Sequence, residues 1–239
     1  MRFIRDHVPL YATVLLMSAL VSLLISKGVS VGAALTAAPS EVLPVIVIDP
    51  GHGGEDGGAL SCTGKKESTF NLEISMRLND LLLLLGRKTV MTRTEDVCIA
   101  DPGLETLSEK KVSDLRNRVA LVNRTPGAVL VSIHQNTFPE GKYKGAQVFF
   151  AKTDGSEELA ELVQQRLKEN LDPSNQRACK PSLTVYLMNK IQCPGILIEC
   201  GFLSNGSEEY SLSQPEYQRK LVCAAAGAIT EYLARQGRT

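Results

Sequence analysis

His52 and His134 are the residues through which this chain could do chemistry. The sequence holds three histidines. Two of them close short apolar, β-branched runs: Val45-Ile46-Val47-Ile48 ahead of Asp49-Pro50-Gly51-His52, and Val129-Leu130-Val131 ahead of Ser132-Ile133-His134. Such runs read as strands, which puts each imidazole at the carboxyl edge of a strand, where open α/β sheets build their sites. Two imidazoles from separate strands, with acidic residues close by in the pattern, suggest a zinc site of two histidines, one carboxylate and one open position. The third histidine, His7, lies ahead of an apolar N-terminal segment.

The elements that must hold these residues alternate. After the strand Val45–Ile48 comes a glycine-rich turn, 50–58. A helix is expected from Ser68, with Phe70, Ile74, Leu78, Leu81 and Leu85 on one face and Gly86 as its stop. Lys88–Met91 is a second strand and 96–110 a polar loop. Ser113 is expected to cap a helix to about Asn123, followed by a strand over 128–133 and another over 145–150. Ser156 caps a helix whose first turn carries Glu157 and Glu158, where the helix dipole favours acids. Ile196–Ile198 is a buried strand, and Pro215 starts a final amphipathic helix. The class is therefore α/β, a single domain with a mostly parallel twisted sheet flanked by helices.

Three segments are expected: 1–27, a signal-anchor or signal peptide helix; 28–43, a linker; and 44–239, the catalytic domain, a size that buries a sizeable core. Arg2 and Arg5 precede an apolar stretch of about 18 residues, Val8–Ile25, closed by Lys27, near the minimum that spans a bilayer. An uncleaved anchor is favoured over a cleaved signal, and either puts the domain outside the cytoplasm. The 26 acidic and 26 basic residues balance, which argues against a nucleic-acid partner. Without Trp, a broad sugar-stacking platform is not expected. Six cysteines, none in CxxC spacing, are expected to be mostly free thiols.

Taken in order, five motifs resemble those of the zinc-dependent N-acetylmuramoyl-L-alanine amidases of the Amidase-3 type. They are Asp49-Pro50-Gly51-His52-Gly53-Gly54-Glu55-Asp56-Gly57-Gly58-Ala59, Glu67 before the first helix, Arg118-Val119-Ala120-Leu121-Val122-Asn123, Ser132-Ile133-His134-Gln135-Asn136, and Glu199-Cys200-Gly201-Phe202-Leu203-Ser204-Asn205. The resemblance runs from about Val45 to the C-terminus. Length, the N-terminal segment and the lack of wall-binding repeats most resemble the germination-specific amidases of spore formers. The resemblance implies His52, Glu67 and His134 as ligands of Zn2+ and Glu199 as the catalytic carboxylate. It also implies a peptidoglycan substrate, cut between N-acetylmuramic acid and the L-alanine of the stem peptide.

The chemistry is coherent on its own terms. An amide is a poor electrophile and water a poor nucleophile. Zinc lowers the pKa of bound water from about 16 to about 7 and polarises a carbonyl. A carboxylate at the end of an apolar strand, such as Glu199, then moves the proton to the leaving nitrogen.

Alternatives remain at several positions. Glu55 and Asp56 are rival third ligands, and Glu67 could be a dipole-stabilised acid at a helix start. Arg118 and Asn136 are candidates for substrate contact, although Arg118 could instead fix a helix by hydrogen bonds. The glycine loop lacks the Lys-Ser/Thr of a phosphate loop; its glycines would let the backbone pass close to a metal. Some cell-division amidases of the family carry a long inserted helix that blocks the zinc; between Phe150 and Pro194 this chain has room for one ordinary helix and a strand, so the resemblance implies an uncovered cleft, with any activating protein unidentified. The rival functions are a zinc peptidase cutting within the stem peptide and a catalytically silent wall-binding protein.

Overall fold

The computed structural model describes residue 17 and residues 43–237. The expected segment 1–27 and the linker thus lie, Met17 and Leu43 aside, outside the described residues. Among those described, no helix is long and apolar enough to cross a membrane.

Six strands form one sheet in the order β2-β1-β3-β6-β4-β5. They are β1 (Val45–Pro50), β2 (Lys88–Met91), β3 (Ala128–Asn136), β4 (Gln147–Phe150), β5 (Lys180–Pro181) and β6 (Gly195–Phe202). The strands β2, β1, β3 and β6 run parallel. β4 joins β6 antiparallel and β5 follows β4 in parallel, so the sheet is mixed. The central strands read as unbroken apolar runs because both of their faces are covered, as parallel sheets require.

One face carries the thicker layer. Ile46, Ile48, Val129, Val131, Ile133, Ile196 and Ile198 pack there against three helices: α1 (Glu67–Leu84), α3 (Ser156–Leu171) and α6 (Pro215–Arg235). Phe70, Ile74 and Leu78 of α1 are fully buried against it. Each such side chain contributes about 1.5–3 kcal/mol. The opposite face is thinner. Val47, Leu130 and Leu197 meet Val122 of α2 (Leu107–Arg124) and Leu187 and Met188 of the five-residue α4 (Tyr186–Lys190). A further short helix, α5 (Gly206–Ser213), follows β6.

Several boundaries differ from those expected. The helix expected from Ser113 begins at Leu107. Thr106 caps it in a capping box, its hydroxyl accepting from Glu109 N at 3.2 Å while Glu109 Oε2 accepts from Thr106 N at 3.1 Å. Thr106-x-x-Glu109 is the local signature of that box. Ser113, inside the helix, instead ties down the preceding loop by donating to Asp101 at 2.8 Å. Ser68 is not the opening residue of α1, which starts at Glu67. β3 and β6 each run further than expected, so His134 and Glu199 lie within strands rather than beyond them. Between Phe150 and Pro194 lie α3, β5 and α4 alone.

Candidate metal centre

The His52 turn is held by what it must approach. β1 ends at Pro50, and the chain turns so sharply that His52 sits at φ +60°, a left-handed conformation that non-glycine residues seldom adopt. Gly51 must lack a side chain, because a Cβ there would stand 2.2 Å from His134 Nε2. At Gly58, φ +68°, a Cβ would meet Glu67 Oε2 at 2.5 Å and His52 Cδ2 at 2.8 Å.

Two buried arginines clasp this turn. Arg118 donates to Asp49 Oδ1 at 2.6 Å, to the Pro50 carbonyl at 2.8 Å and to the His52 carbonyl at 2.8 Å. Its remaining donors go to Asp114 at 2.6 and 3.2 Å. Arg93 donates to the carbonyls of Pro50 (3.0 Å), Gly51 (2.9 Å) and Ser68 (2.9 Å). Burial and then the charge of Arg118 lower the Arg93 guanidinium to about 10. Asp49 is fully desolvated, which alone would raise its pKa; Arg118 and hydrogen bonds from Ser132 and Thr92 outweigh this and hold it below 3.8. Such an array stores strain at the turn and over-determines it at the same time.

Glu67, the first residue of α1, stands between the two imidazoles. Its Oε2 lies 3.3 Å from His52 Nε2 and its Oε1 3.0 Å from His134 Nδ1. Backbone N–H groups of Ala59 and Gln135 donate to it at 3.0 and 3.1 Å, and Asn71 Nδ2 at 3.2 Å. Burial works to raise its pKa, but the hydrogen bonds and charge of the histidines prevail and hold it far below 4.5. The rings of His52 and His134 meet edge-on, centroids 5.1 Å apart. One ligand atom from each of His52, Glu67 and His134 lies within 4.8 Å of the others.

The two rival acids stand outside this group. Asp56 Oδ2 lies 3.0 Å from Nδ1 of His52, on the far side of the ring, and Lys111 Nζ lies 3.1 Å from Asp56. For His52 burial favours a lower pKa, yet Glu67 and Asp56 outweigh it and raise the value above 6.5. An anchored carboxylate behind a ligand imidazole fixes its tautomer and orientation. Glu55 is drawn away to Lys110 at 2.6 Å.

Glu199 is set beside the triad by strand register. It pairs with His134 across β3 and β6, so the two side chains share the thinly covered face. Its Oε2 is buried and has no hydrogen-bond partner among the described residues. Burial, reinforced by Glu67 and opposed by the histidines, pushes its carboxyl up to about 7. A cavity of about 230 Å³ opens over Gly51, His52 and His134 and is walled by Leu115, Tyr186 and Leu187. A larger groove of about 620 Å³ between α3 and α6 gathers no such set, so chemistry rather than volume singles out the site.

Two residues expected near substrate stand differently. Asn136 lies two residues beyond His134 at the end of β3, its carbonyl accepting from Leu203 N at 2.8 Å. All five donors of Arg118 are engaged inside the protein, and the residue is 2% exposed. It therefore acts on the site through the His52 turn and offers nothing to a substrate. Arg93, Asp49, Asp114 and Asn71 went unread in the sequence. For Asp49 and Arg93 the signal available is a charge at the end of an apolar strand, where burial demands pairing; Asn71 and Asp114, inside helices, carry none.

Residues 46–231 match the family described as N-acetylmuramoyl-L-alanine amidase, Amidase_3. The chain belongs to that family. It is 40% identical over 195 residues to the germination-specific N-acetylmuramoyl-L-alanine amidase of Bacillus subtilis (strain 168), covering 81% of each chain. The CwlD amidase from Clostridioides difficile, solved in complex with the GerS lipoprotein, is 36% identical with a TM-score of 0.77, over 80% of this chain and 99% of that one. The N-acetylmuramoyl-L-alanine amidase from Clostridium difficile 630 is 31% identical, TM-score 0.70, over 81% and 98%.

Proposed function

We propose that this chain is a zinc amidase of peptidoglycan. It cuts the amide between the lactyl group of N-acetylmuramic acid and the L-alanine of the stem peptide, and serves in spore cortex maturation. Family membership supports the reaction, and the germination-specific relative supports the setting. The observation that carries the reading is the pairing of Glu199 with His134, beside three convergent ligand atoms.

The triad fits zinc: two imidazoles and one carboxylate are a hydrolytic donor set that leaves a position open, and Gly51 and Gly58 leave room for the groups to converge. His52, Glu67 and His134 would hold the ion, with Asp56 and Asn71 steadying His52 and Glu67. When bound, zinc supplies a Lewis-acid charge that polarises the carbonyl and acidifies water. Glu199 removes the proton from the attacking water and returns it to the alanine nitrogen as the C–N bond breaks. In the metal-free protein burial already lifts its carboxyl well above the usual carboxylate range, toward the intermediate proton affinity that lets one group do both tasks.

The N-terminal pattern supports an extracytoplasmic location, with the chain anchored in the membrane or secreted. The GerS lipoprotein bound to Clostridioides difficile CwlD supports an accessory protein for this chain as well.

Mass spectrometry of digested peptidoglycan tests the reading. New L-alanine amino termini that depend on zinc are expected. Cuts within the stem peptide would establish a peptidase instead, and no zinc-dependent cut would leave a binding protein.

A further inference from the structure

Beyond Glu199, on the β4 side of the sheet, lies a second groove of about 510 Å³ lined by Lys144, Gln147, Arg177 and Lys180, with Asp172 as its one acid. Volumes of this order hold ligands of several residues' size. Gln147 is the cross-strand partner of Glu199, so the two side chains share the catalytic face, Cβ atoms about 5 Å apart.

Arg177 is fixed there. It donates to Gln147 Oε1 at 3.1 Å and to the Lys144 carbonyl at 2.9 Å, and its guanidinium lies over Phe202 at 4.6 Å from the ring centroid. Among the described residues neither Arg177 nor Lys180 has an ion-pair partner within 4 Å, and Lys144 has only Asp172 at 4.0 Å. Glu208, the other nearby acid, is taken up by the backbone N–H groups of Gly145 (2.9 Å) and Phe202 (2.8 Å). A held guanidinium with spare donors, beside the unpaired Lys180 and a Lys144 that has only a distant acid, is a carboxylate receptor.

Resting on the amidase reading, we propose that the Lys144–Arg177–Lys180 groove binds a free carboxylate of the stem peptide. The substrate then lies with its peptide across β4 and its sugar on the Tyr186 side. Arg177 stands on the order of 10 Å from Glu199, one strand spacing plus a glutamine side chain. An extended peptide advances about 3.3–3.6 Å per residue, so the groove meets the second or third residue past the scissile bond. In stem peptides the second residue is a γ-linked glutamate whose α-carboxyl is either free or amidated. The uncharged sugar has no use for three cations, which sets the direction.

The test compares two synthetic muramyl peptides that differ only in that group, α-carboxylate against α-carboxamide, with the full chain loaded with zinc. The wild type is expected to favour the carboxylate in kcat/KM by roughly tenfold or more, the worth of a hydrogen-bonded charge. In Arg177→Ala the ratio should fall toward one, mainly through KM. Lys144→Gln, at an exposed position that folding does not need, should lower it by a smaller factor. An unchanged ratio in both variants, or a wild type indifferent to amidation, overturns the proposal while amidase turnover continues. If the wild type cleaves neither peptide, the amidase reading itself fails and the groove assignment with it. Loss on whole sacculi with the small-substrate ratio intact would assign the groove to an anionic wall polymer and overturn the peptide assignment.

Discussion

Replacing Glu199 by glutamine should make the protein more stable and almost inactive. The carboxyl carries a buried, unpartnered Oε2 and has been moved from 4.5 to about 7, chiefly by burial. Each tenfold shift in proton affinity is worth about 1.4 kcal/mol. Keeping this group ionised in the folded, metal-free state therefore costs at most about 3 kcal/mol. Because the folded pKa lies above the unfolded one, the cost is absent below pH 4.5, grows between 4.5 and about 7, and is complete above that. Glu199→Gln keeps the shape and removes the charge. Denaturant melts in the presence of chelator should show no difference from wild type at pH 4, and a gain approaching 3 kcal/mol at pH 8. Turnover by the zinc-loaded variant should fall by roughly 10²–10⁴, the usual contribution of a positioned proton carrier, with metal content unchanged. Near wild-type release of L-alanine-terminated peptides by the metal-replete variant would refute the role. Loss of zinc would mean that Glu67 and Glu199 have exchanged functions, and a flat stability difference across pH would refute the electrostatic reasoning.

The remaining predictions concern the turn and the chain's N-terminus. Gly51→Ala is expected to leave the circular dichroism spectrum intact but to displace the His134 ring, since the new Cβ would lie 2.2 Å from Nε2; zinc per chain should fall well below one by elemental analysis, as in His52→Ala and His134→Ala. Arg118→Met strands Asp49 and Asp114 in the interior and should cost about 3–5 kcal/mol in chemical denaturation. Asp49 titrates below 3.8 in the folded protein, so its share of stability is present above that pH and lost as the pH falls through the lower folded value; acid unfolding of Arg118→Met should lack this component. Removing residues 1–27 should convert a membrane-fractionating protein into a soluble one with the same zinc content, and an unfolded product would show that the segment belongs to the core.

The parts legible in sequence were those where burial and function act on the same few residues. Val45–Ile48 and Val129–Ile133 announce themselves because strands covered on both faces tolerate little but apolar side chains, and the histidines that follow them stand out against such runs. Glu67 stands out as a candidate ligand only through the family pattern; it lies 67 residues from His134, and no periodicity links them. The start of α2 was missed although Thr106 and Glu109 carry a capping signature, because the apolar spacing that marks its core face begins later. β5, α4 and α5 are two, five and eight residues long, too short for any period to declare itself. Arg118 illustrates a different limit. An arginine one helix away from the site reads equally well as a substrate clamp or a buried strut, and only the count of donors already engaged separates the two.

Under the proposed function, the surroundings of the two glutamates account for the assignment of ligand and base to different residues. β3 and β6 pair in parallel with His134 opposite Glu199, so one sheet face receives a metal-seeking nitrogen and a proton-carrying oxygen side by side. Glu67 comes from outside the sheet, at the start of α1, and against the effect of burial the hydrogen bonds and charge of His134 and His52 hold its carboxylate ionised. Glu199 comes from within the sheet, has no donor on Oε2, and rises toward neutrality. Two glutamates of the same chemistry are thus driven to opposite ends of the carboxylate range by what surrounds them, and the one left without partners is the one free to move a proton. A one-residue slip of β6 would turn Cys200 to this face along with Ile196 and Ile198, and carry Glu199 into the opposite layer beside Val131 and Ile133. On the proposed function, the register that pairs His134 with Glu199 therefore carries the division of labour at the site.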